Sequence, residues 1–577
     1  MKPAHTTPLS PVGEAQTSTS ALTKPAEVLR LRNVWRWSFL RKNIRLSRTE
    51  WLLLGLLFLC YTYFQLTPST NTLSRYDMVE ALGHGTAIID PYLLTPDATC
   101  SAANAAPSPT CMPTAFTSTA QQACGNAHYF CNTIDVSYYG NHYYSPRSLG
   151  LSLFAVPPYL LLVGLAMLFH LALDPTVAIA VLSVITIVPC TLLAALLMMR
   201  MVRGLRPGLA KTAFPLLITS AYALGTLAYP FSVAFLSHQV GGALMLVAFY
   251  LLWRARQVAQ ARRAYLIVGG LIAGIAVISE YPTGSIALLL AAYVVWVFPG
   301  QRLRNLCLFL GSMLPAGLTL LTYNLFAFGN PFSLSYGFVA GQEFAGQHQG
   351  FFGVTFPQFD AIVTLLVSPR GLLVGSPFLV LVPLGFYWWW KHAPTWRPEA
   401  MLCGAICLVY LLWNASYFLP MGGYSVPGPR FLVPMLPFAC LPLAFCADRL
   451  RWLFTPLFVF SVFISFLYLA SGVRVLSDYG VYPFTSLWFP LLTTGQVDPH
   501  DGPTPLNLGH DLLGLPQPLG LYPMLLLLLG WLAWLCYHSL VIIPRSTSRL
   551  PLEASLPKQK MSASVLRTDE RFKDFTA

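Results

Sequence analysis

Long apolar stretches, separated by short basic segments or by three long polar ones, dominate the pattern of this chain. Most of the stretches are long enough, at 1.5 Å per residue, to cross a hydrocarbon core of roughly 30 Å. Because backbone polar groups cannot stay unpaired in lipid, each stretch is predicted to form a helix. The thirteen stretches are 51–66, 150–172, 177–202, 212–235, 238–254, 264–281, 283–299, 305–328, 371–390, 399–419, 430–447, 452–472 and 521–543.

The composition agrees with this pattern. Lys and Arg number 35 and Asp and Glu 22 in 577 residues, so 10% of the chain is charged, against roughly 25% in ordinary soluble domains. This scarcity of charge excludes a soluble enzyme, a disordered chain and a fibrous protein. The predicted fold class is an all-α polytopic membrane protein with about 12–13 transmembrane helices. We expect a large first extracytoplasmic loop that bears short surface helices.

The distribution of positive charge predicts the orientation. Short connections rich in Lys and Arg usually face the cytoplasm, and the segments before the first apolar stretch, between most of them and after the last one are of this kind. We therefore expect a largely disordered cytoplasmic tail (1–49), a membrane domain (50–543) and a cytoplasmic C-terminal tail (544–577). The long segments poor in Lys and Arg should be extracytoplasmic; they are 67–149, 329–370 and 473–520.

One stretch conflicts with this alternation. If 150–172 crosses the membrane, every basic connection after it falls on the wrong side. Pro157 and Pro158 make it a poor straight helix, so we expect a short, re-entrant or interfacial helix there. Twelve spans with both termini inside then result, and a thirteen-span arrangement stays open. The net charge of +13 is thereby explained as an orientation signal, and no nucleic-acid partner is expected.

Four of the twelve cysteines fall in the first long polar segment. An even number clustered outside the membrane favours two disulfides in an oxidising compartment. A zinc site is the competing interpretation, but the usual ligand spacing is absent. The pairing stays open among three combinations of Cys100, Cys111, Cys124 and Cys131.

The two flanks of that segment carry its recognisable motifs. They read SRYDMVEALGHGTAIIDPY (74–92) and DVSYYGNHYYSPRSLG (135–150). The chain resembles, at these flanks, the GT-C superfamily of integral-membrane glycosyltransferases, in the bacterial family-39-like group related to protein O-mannosyltransferases and lipid A aminoarabinose transferases. Weaker matches to the family pattern follow along the chain. They are Ser237-His238, Glu280-Tyr281-Pro282, Tyr323-Asn324, Ser368-Pro369-Arg370-Gly371 and Gly428-Pro429-Arg430-Phe431.

The resemblance implies a bacterial plasma-membrane enzyme that moves a sugar from a polyprenyl-phosphate donor to an acceptor hydroxyl on the extracytoplasmic face. The acceptor, whether lipid, glycan or protein, stays open. The chain departs from the family pattern at two places. Ser74 stands where relatives commonly place an acid before Arg-Tyr, and Pro146 replaces the acid of the family's Ser-Asp-Lys. These departures keep open a catalytically inactive member that serves in assembly.

Such a transfer needs a carboxylate to accept the hydroxyl proton. Asp77, Asp135 and Asp90 lie beside the Arg- and Tyr-rich flanks, and we predict them as catalytic, with Asp77 first as the base. For each alone, the alternative is a solvated or helix-capping aspartate.

Binding of the donor phosphate and sugar needs cations and polar groups on the same face. The candidates share an expected place near the extracytoplasmic surface, and they are Arg147, His142, Tyr144, Glu280, Arg370 and Arg430. The alternatives are headgroup contacts for the arginines, interfacial placement for Glu280 and Tyr144, and a structural hydrogen bond for His142. A divalent metal is supported by analogy alone.

A transporter or flippase of a lipid-linked substrate is the alternative function. Transporters usually place ionisable side chains near the bilayer midplane, whereas this chain gathers its acids in the long polar segments. Phosphate-binding GxxxxGK[ST] and HExxH metal motifs are absent from the sequence.

Overall fold

The computed structural model describes residues 46–66, 68–96, 129–131, 133, 135–340, 346–422, 428–472, 485, 488–495 and 506–541. The chain divides into two compact units, Met1–Leu52 and Leu53–Ala577. Of the first unit, the described part is 46–52, which begins helix α1. Everything below concerns the second unit.

Helices make up almost all of the described structure, which confirms the all-α fold class. The α-helices are α1 (Arg48–Thr62), α2 (Thr70–Gly83), α3 (Asp90–Leu93), α4 (Leu149–Leu168), α5 (Pro175–Leu205), α6 (Phe214–Gly225), α7 (Ala228–Val233), α8 (Ser237–Gln257), α9 (Arg262–Ser279), α10 (Gly284–Val297), α11 (Arg302–Gly311), α12 (Leu314–Phe328), α13 (Phe359–Val367), α14 (Leu372–Gly375), α15 (Val382–His392), α16 (Arg397–Ala415), α17 (Leu436–Cys440), α18 (Arg451–Ala470), α19 (Phe489–Thr494), α20 (Leu508–Asp511) and α21 (Tyr522–Cys536). A π-helical turn, Tyr537–Val541, follows α21.

Short 3-10 segments join or extend these helices. They are Pro207–Leu209, Ala259–Ala261, Tyr281–Thr283, Pro299–Gln301, Ser335–Phe338, Pro377–Leu381, Pro394–Trp396, Arg430–Met435, Leu441–Phe445 and Leu519–Leu521. Most begin with a proline at the first or second position, where its missing N–H costs nothing and its fixed φ suits a helix start.

The number of full-length spans is smaller than the thirteen apolar stretches suggested. In the described part, six helices are long and apolar enough to cross a membrane, and two bent helix pairs bring the number to eight. The bends are 98° between Val297 and Pro299 and 107° between Gly375 and Pro377. Backbone angles just before each proline are non-helical (ψ 65° at Phe298, 66° at Ser376), as expected next to a proline ring. Hydropathy does not detect such breaks.

The helix expected to be short, re-entrant or interfacial at 150–172 is neither short nor broken at its prolines, and its interfacial placement stays a prediction. Helix α4 runs without interruption for 20 residues, contains both Pro157 and Pro158, and qualifies as a span by length and composition. Proline is tolerated inside membrane helices when neighbouring groups satisfy the freed carbonyls. The two prolines therefore gave no reliable guide to the shape of this segment.

The flanks of the first long polar segment fold against the helices. Helix α2 begins at Ser69, whose Oγ accepts the N–H of Thr72, and packs Tyr76 and Val79 against Leu151, Ala155 and Tyr159 of α4. The second flank forms a hairpin of β4 (Ser137–Tyr139) and β5 (His142–Tyr144), with Tyr138 opposite Tyr143. Two further antiparallel pairs join β1 (Phe64–Gln65) to β6 (Leu506–Asn507) and β2 (Leu94–Pro96) to β3 (Tyr129–Cys131).

The arginine-rich connections meet at one end of the helix bundle. Arg206 Nη2 donates to Asp448 Oδ2 at 2.9 Å, and Arg256 Nη1 donates to Glu399 Oε1 at 2.6 Å. The Arg449 guanidinium lies 5.3 Å from the centre of the Trp388 ring. Each contact joins two connections that the charge pattern placed on the same side. We call this end, where α5, α8, α15 and α16 begin or finish, the arginine end.

Close packing of α4 against the end of α9 depends on Gly150. A Cβ built on Gly150 would lie 2.8 Å from Ser279 Cα, so even alanine would push the two helices apart. We expect Gly150→Ala to lower the free energy of unfolding by about 1–3 kcal/mol, the usual cost of overpacking, measured by denaturation of the purified protein in detergent. The matched control is Gly164→Ala on the same helix, which has no atom within 4 Å of the added carbon; equal loss in both variants would contradict the prediction.

Candidate functional site

A cavity of about 300 Å³ opens at the end of the bundle opposite the arginine end. Helix α8 connects the two ends, because it starts beside the cavity at Ser237 and finishes with Arg254 and Arg256. Its 21 residues correspond to about 30 Å at 1.5 Å per residue. The cavity walls come from α2, the segment before α4, the start of α8, the break between α9 and α10, the connection after α12, the end of α16 and the segment that starts at Arg430.

Arg147 and Asp135 form an ion pair in the wall. Arg147 Nε donates to Asp135 Oδ2 at 2.6 Å, and its Nη2 donates to the same oxygen. The Asn71 amide oxygen, in the orientation that satisfies both groups, accepts from Arg147 Nη1 at 3.0 Å. The Arg147 side chain is 13% exposed and that of Asp135 is 2% exposed. Two neighbours thus fix the plane of this guanidinium.

A second charged group surrounds Glu280. Arg75 Nη2 donates to Ser237 Oγ at 2.7 Å, and Ser237 Oγ donates in turn to Glu280 Oε2. His238 Nδ1 lies 3.1 Å from the same carboxylate oxygen. All four side chains are at most 5% exposed at the residue level. Glu280 occupies the non-helical position between α9 and the following 3-10 turn, which directs its carboxylate into the wall.

Arg430 is the cation with spare hydrogen-bonding capacity. Its guanidinium carbon lies 5.2 Å from the centre of the Phe431 ring. Its Nε is buried and meets no hydrogen-bond acceptor among the described residues. A buried donor without an acceptor is costly, so an anionic ligand that enters the cavity would satisfy it.

Aromatic rings line the part of the cavity beside Arg430 and Phe431. Trp413 and Tyr417 are stacked with ring centres 5.6 Å apart, and both meet the Phe431 ring edge to face at 5.9 and 5.2 Å. Tyr336 and Phe418 also contribute to the lining. Such faces suit the apolar side of a sugar ring or an apolar chain.

The electrostatics of the lining favour an anion. Arg75, Arg147 and Arg430 face two carboxylates, Asp135 and Glu280, which leaves one net positive charge when His238 is neutral. Burial, reinforced by the charge of Arg147, lowers the pKa of Arg75 to about 10, so Arg75 stays protonated at neutral pH. Burial acts to lower the pKa of Arg147 as well, but the Asp135 carboxylate outweighs it and raises that pKa above its ordinary value.

The structure brings together four of the nine residues predicted from the sequence. Asp135, Arg147, Glu280 and Arg430 all line the cavity. Their segments are far apart in the chain, and the fold joins them at one end of the bundle. Their chemical roles stay predictions.

The other five do not line the cavity. Asp77 is fully buried on α2, and Tyr144 is buried against Phe328, with ring centres 5.1 Å apart. Asp90 accepts from the Tyr143 N–H at 2.6 Å and pairs with His142 Nδ1 at 2.8 Å, so this pair ties the β4–β5 hairpin to α3. Arg370 lies just before α14, away from the lining.

Sequence reasoning missed two charged or titratable residues of the lining. Arg75 belongs to the Ser-Arg-Tyr motif of the family resemblance, and His238 belongs to the weaker Ser237-His238 match. These motifs were the signal in the sequence that could have selected the two residues. A lone histidine at the start of a helix, however, more often has a structural role. The lining residues Gln347, Tyr336 and Tyr417 carried no signal.

The two positions at which the chain departs from the family pattern are neighbours in space. Ser74 Oγ lies 2.8 Å from the Oγ of Ser145, the residue before Pro146. Two hydroxyl groups therefore meet beside Pro146. Within the part of the chain that the structure describes, no group of three His, Cys, Asp or Glu side chains could hold a metal ion. The described lining residues therefore do not fit a metal.

The predicted disulfides cannot be placed. Cys100, Cys111 and Cys124 lie outside the described residues, as does the side chain of Cys131. The pairing stays a prediction.

Comparison with known proteins gives likeness in structure only. No family model and no curated protein matches the chain. The chain is similar to the crystal structure of ArnT from Cupriavidus metallidurans bound to undecaprenyl phosphate, with 14% identity and a TM-score of 0.47, over 85% of this chain and 78% of ArnT. It is also similar to the apo oligosaccharyltransferase of Archaeoglobus fulgidus, with 12% identity and a TM-score of 0.37, over 74% of this chain and 54% of that protein.

Proposed function

We propose that this chain is a GT-C-type glycosyltransferase of a bacterial plasma membrane, which moves a sugar from a polyprenyl-phosphate donor to an acceptor hydroxyl. The cavity would face the extracytoplasmic side, with the arginine end and both termini in the cytoplasm. The convergence of three arginines and two carboxylates in one aromatic-lined cavity carries this proposal. The acceptor, whether lipid, glycan or protein, is left open.

The cations supply what a phosphate leaving group requires. As the bond between the anomeric carbon and the phosphate oxygen breaks, negative charge develops on the phosphate. Fixed guanidinium groups stabilise such charge most in a site that excludes water. Arg430 has the spare donor, and Arg147 is held in place beside it by Asp135 and Asn71.

The size of the cavity fits the polar part of such a donor. Small-molecule pockets span ~300–1,000 Å³, and about 300 Å³ is at the lower end of that range. The sugar and phosphate would occupy the cavity, with the sugar against Trp413 and Tyr417. The isoprenoid chain would lie outside, along the apolar surface of the helices.

The placement of charge argues against the transporter alternative. In the described apolar helices, Asp, Glu, Lys and Arg side chains lie within the first or last two turns. A transporter would be expected to carry ionisable groups near the middle of the bilayer. Chemistry at one end of the bundle agrees better with transfer than with passage through it.

The direct test is a transfer assay with the purified protein in nanodiscs and radiolabelled polyprenyl-phosphate sugars. We expect labelled product and free polyprenyl phosphate in equal amounts. Asp135→Asn should lower kcat/KM about 10²-fold, because breaking a buried charge pair costs on the order of 2–5 kcal/mol and loosens Arg147. The matched control is Asp360→Asn, an exposed aspartate at the start of α13 outside the cavity.

Three outcomes would contradict the proposal. Movement of intact donor across the membrane without sugar transfer would establish a transporter. Donor binding without transfer for every sugar tested would favour an inactive assembly protein. Equal loss in Asp135→Asn and Asp360→Asn would place the chemistry outside this cavity.

A further inference from the structure

We propose that His238, held by Glu280, is the group that accepts the proton of the acceptor hydroxyl. This inference rests on the proposed function and answers the question that the missing family acids raise. Transfer needs a base in the cavity, and the two positions where relatives carry acids hold Ser74 and Pro146 here. Three other groups in the lining could take a proton: Asp135, Glu280 and His238.

Asp135 is poorly placed to accept a proton. Its Oδ2 already receives two hydrogen bonds from Arg147, from Nε and from Nη2. The oxygen that faces Arg147 is therefore already occupied by two donors. Its geometry instead suits the task of fixing Arg147 for the donor phosphate.

Glu280 is also occupied. Its Oε2 receives the Ser237 hydroxyl, which is itself bound by Arg75 at 2.7 Å, and the same oxygen lies 3.1 Å from His238 Nδ1. A carboxylate beside one imidazole nitrogen orients the ring and stabilises the positive charge that forms when the other nitrogen takes a proton. Glu280 is therefore a positioning residue for His238.

His238 presents its second nitrogen to the cavity. With Nδ1 directed at Glu280, Nε2 lies on the opposite side of the ring. The residue lines the cavity, and its buried Nδ1 lies 3.1 Å from Glu280 Oε2 without the alignment of a hydrogen bond. The ring is held edge to face between Phe231 and Phe431, with ring centres 6.0 and 5.2 Å away. The imidazole is thus oriented from three sides.

Gly241, one turn after His238 on α8, leaves the space that lets Glu280 approach His238. A Cβ on Gly241 would lie 2.8 Å from Glu280 Cβ. Any larger residue there would push Glu280 away from the start of α8. The close approach of the two helices is therefore what puts the carboxylate beside the imidazole.

The step balances without another reactant. The acceptor oxygen forms a bond to the anomeric carbon while the bond from that carbon to the phosphate oxygen breaks, and the electron pair goes to the phosphate. The hydroxyl proton passes to His238 Nε2. The products are the glycosylated acceptor and polyprenyl phosphate, and the imidazolium returns its proton to water.

The test is the pH dependence of kcat/KM for transfer by the full-length protein in nanodiscs. Only neutral His238 can accept a proton, so kcat/KM should rise with pH through one ionisation; the charged groups that face the ring are Glu280, Arg75 and Arg430. We expect His238→Gln to lower kcat about 10²-fold or more and to leave the donor KM little changed. The rise of kcat/KM with pH, which we call the pH-dependent limb, should be lost in this variant. In Glu280→Gln the limb should move to lower pH, because the imidazolium loses its stabilising carboxylate. Since misfolding would lower kcat without moving that limb, the shift separates positioning from structural damage.

Two comparisons make the result decisive. In Asp135→Asn the pH-dependent limb of kcat/KM should remain while the donor KM rises. The proposal would be overturned if this limb were lost in Asp135→Asn but retained in His238→Gln. The matched control is His510→Gln, which removes a histidine that pairs with Asp511 at 2.8 Å outside the cavity. It should leave the profile unchanged.

A measurement that needs no turnover separates this inference from the proposed function. Diethyl pyrocarbonate acylates neutral imidazole, and mass spectrometry can follow its reaction at His238 with and without undecaprenyl phosphate. We expect reaction that increases with pH and protection by the lipid. Protection without any transfer by the wild type would refute the proposed transfer and still support an accessible imidazole base beside an anion site, whereas no reaction at any pH would refute the inference.

Discussion

Arg430→Gln is expected to lower kcat/KM for sugar transfer by about 10²–10³-fold, the usual effect of losing one fixed donor to developing negative charge. Arg430 is the lining cation whose Nε meets no acceptor among the described residues, whereas Arg147 already engages Asp135 and Asn71. Glutamine keeps part of the length and one NH2 group with two N–H donors but removes the charge. The loss should appear both in kcat and in the affinity for undecaprenyl phosphate, measured by turnover and by equilibrium binding.

Arg430→Lys and Arg304→Gln complete this experiment. Lysine restores the charge without the planar fork, so we expect partial recovery of affinity and little recovery of kcat. Arg304 is exposed at the start of α11 and contacts Gln301, so its loss should change neither quantity. Undiminished lipid binding by Arg430→Gln would show that the phosphate lies elsewhere.

Arg256→Met is expected to have the largest effect on stability, about 3–5 kcal/mol in the free energy of unfolding. Glu399 is fully buried at the start of α16 and receives Arg256 Nη1 at 2.6 and 2.8 Å and the Tyr293 hydroxyl at 2.6 Å. Removal of Arg256 leaves that carboxylate buried with one neutral donor. Denaturation in detergent, followed by intrinsic tryptophan fluorescence, would measure the loss.

The double variant Arg256→Met/Glu399→Gln distinguishes the buried charge from lost packing. Once the carboxylate is neutral, most of the lost stability should return, because no uncompensated charge remains. Arg254→Gln on the same helix is the matched control, since the Arg254 guanidinium donates to the neutral amide of Gln257 at 3.0 Å. A double variant as unstable as Arg256→Met would assign the loss to packing.

Apolar length and scarcity of charge predicted the fold class, because a chain that must satisfy its backbone in lipid has few alternatives to helices. The same signals could not predict where helices break. The bends before Pro299 and Pro377 lie within or beside apolar runs, and the uninterrupted α4 contains two prolines. Whether a proline bends a helix depends on which neighbours satisfy the freed carbonyls, and that is a property of packing.

The candidate site was predicted in part for a similar reason. Outside position and charge selected Asp135, Arg147, Glu280 and Arg430, which the fold assembles. The same criteria selected Asp90 and His142, which pair with each other to hold a hairpin. Charge in a polar segment does not reveal its partner. Arg75 on α2 and His238 at the start of α8 also line the cavity. Their placement depends on tertiary contacts such as that of Gly241 with Glu280.

The length of α8 separates the cavity from the arginine end by about 30 Å. This separation constrains how a sugar donor can reach the cavity. In the proposed orientation, with the arginine end in the cytoplasm, water-soluble activated sugars made there would have no access to the cavity. Another membrane protein would first have to move the lipid-borne sugar to the opposite leaflet. Sugar activation and sugar transfer would then occur in different aqueous compartments, with the energy for transfer carried across the membrane in the sugar–phosphate bond.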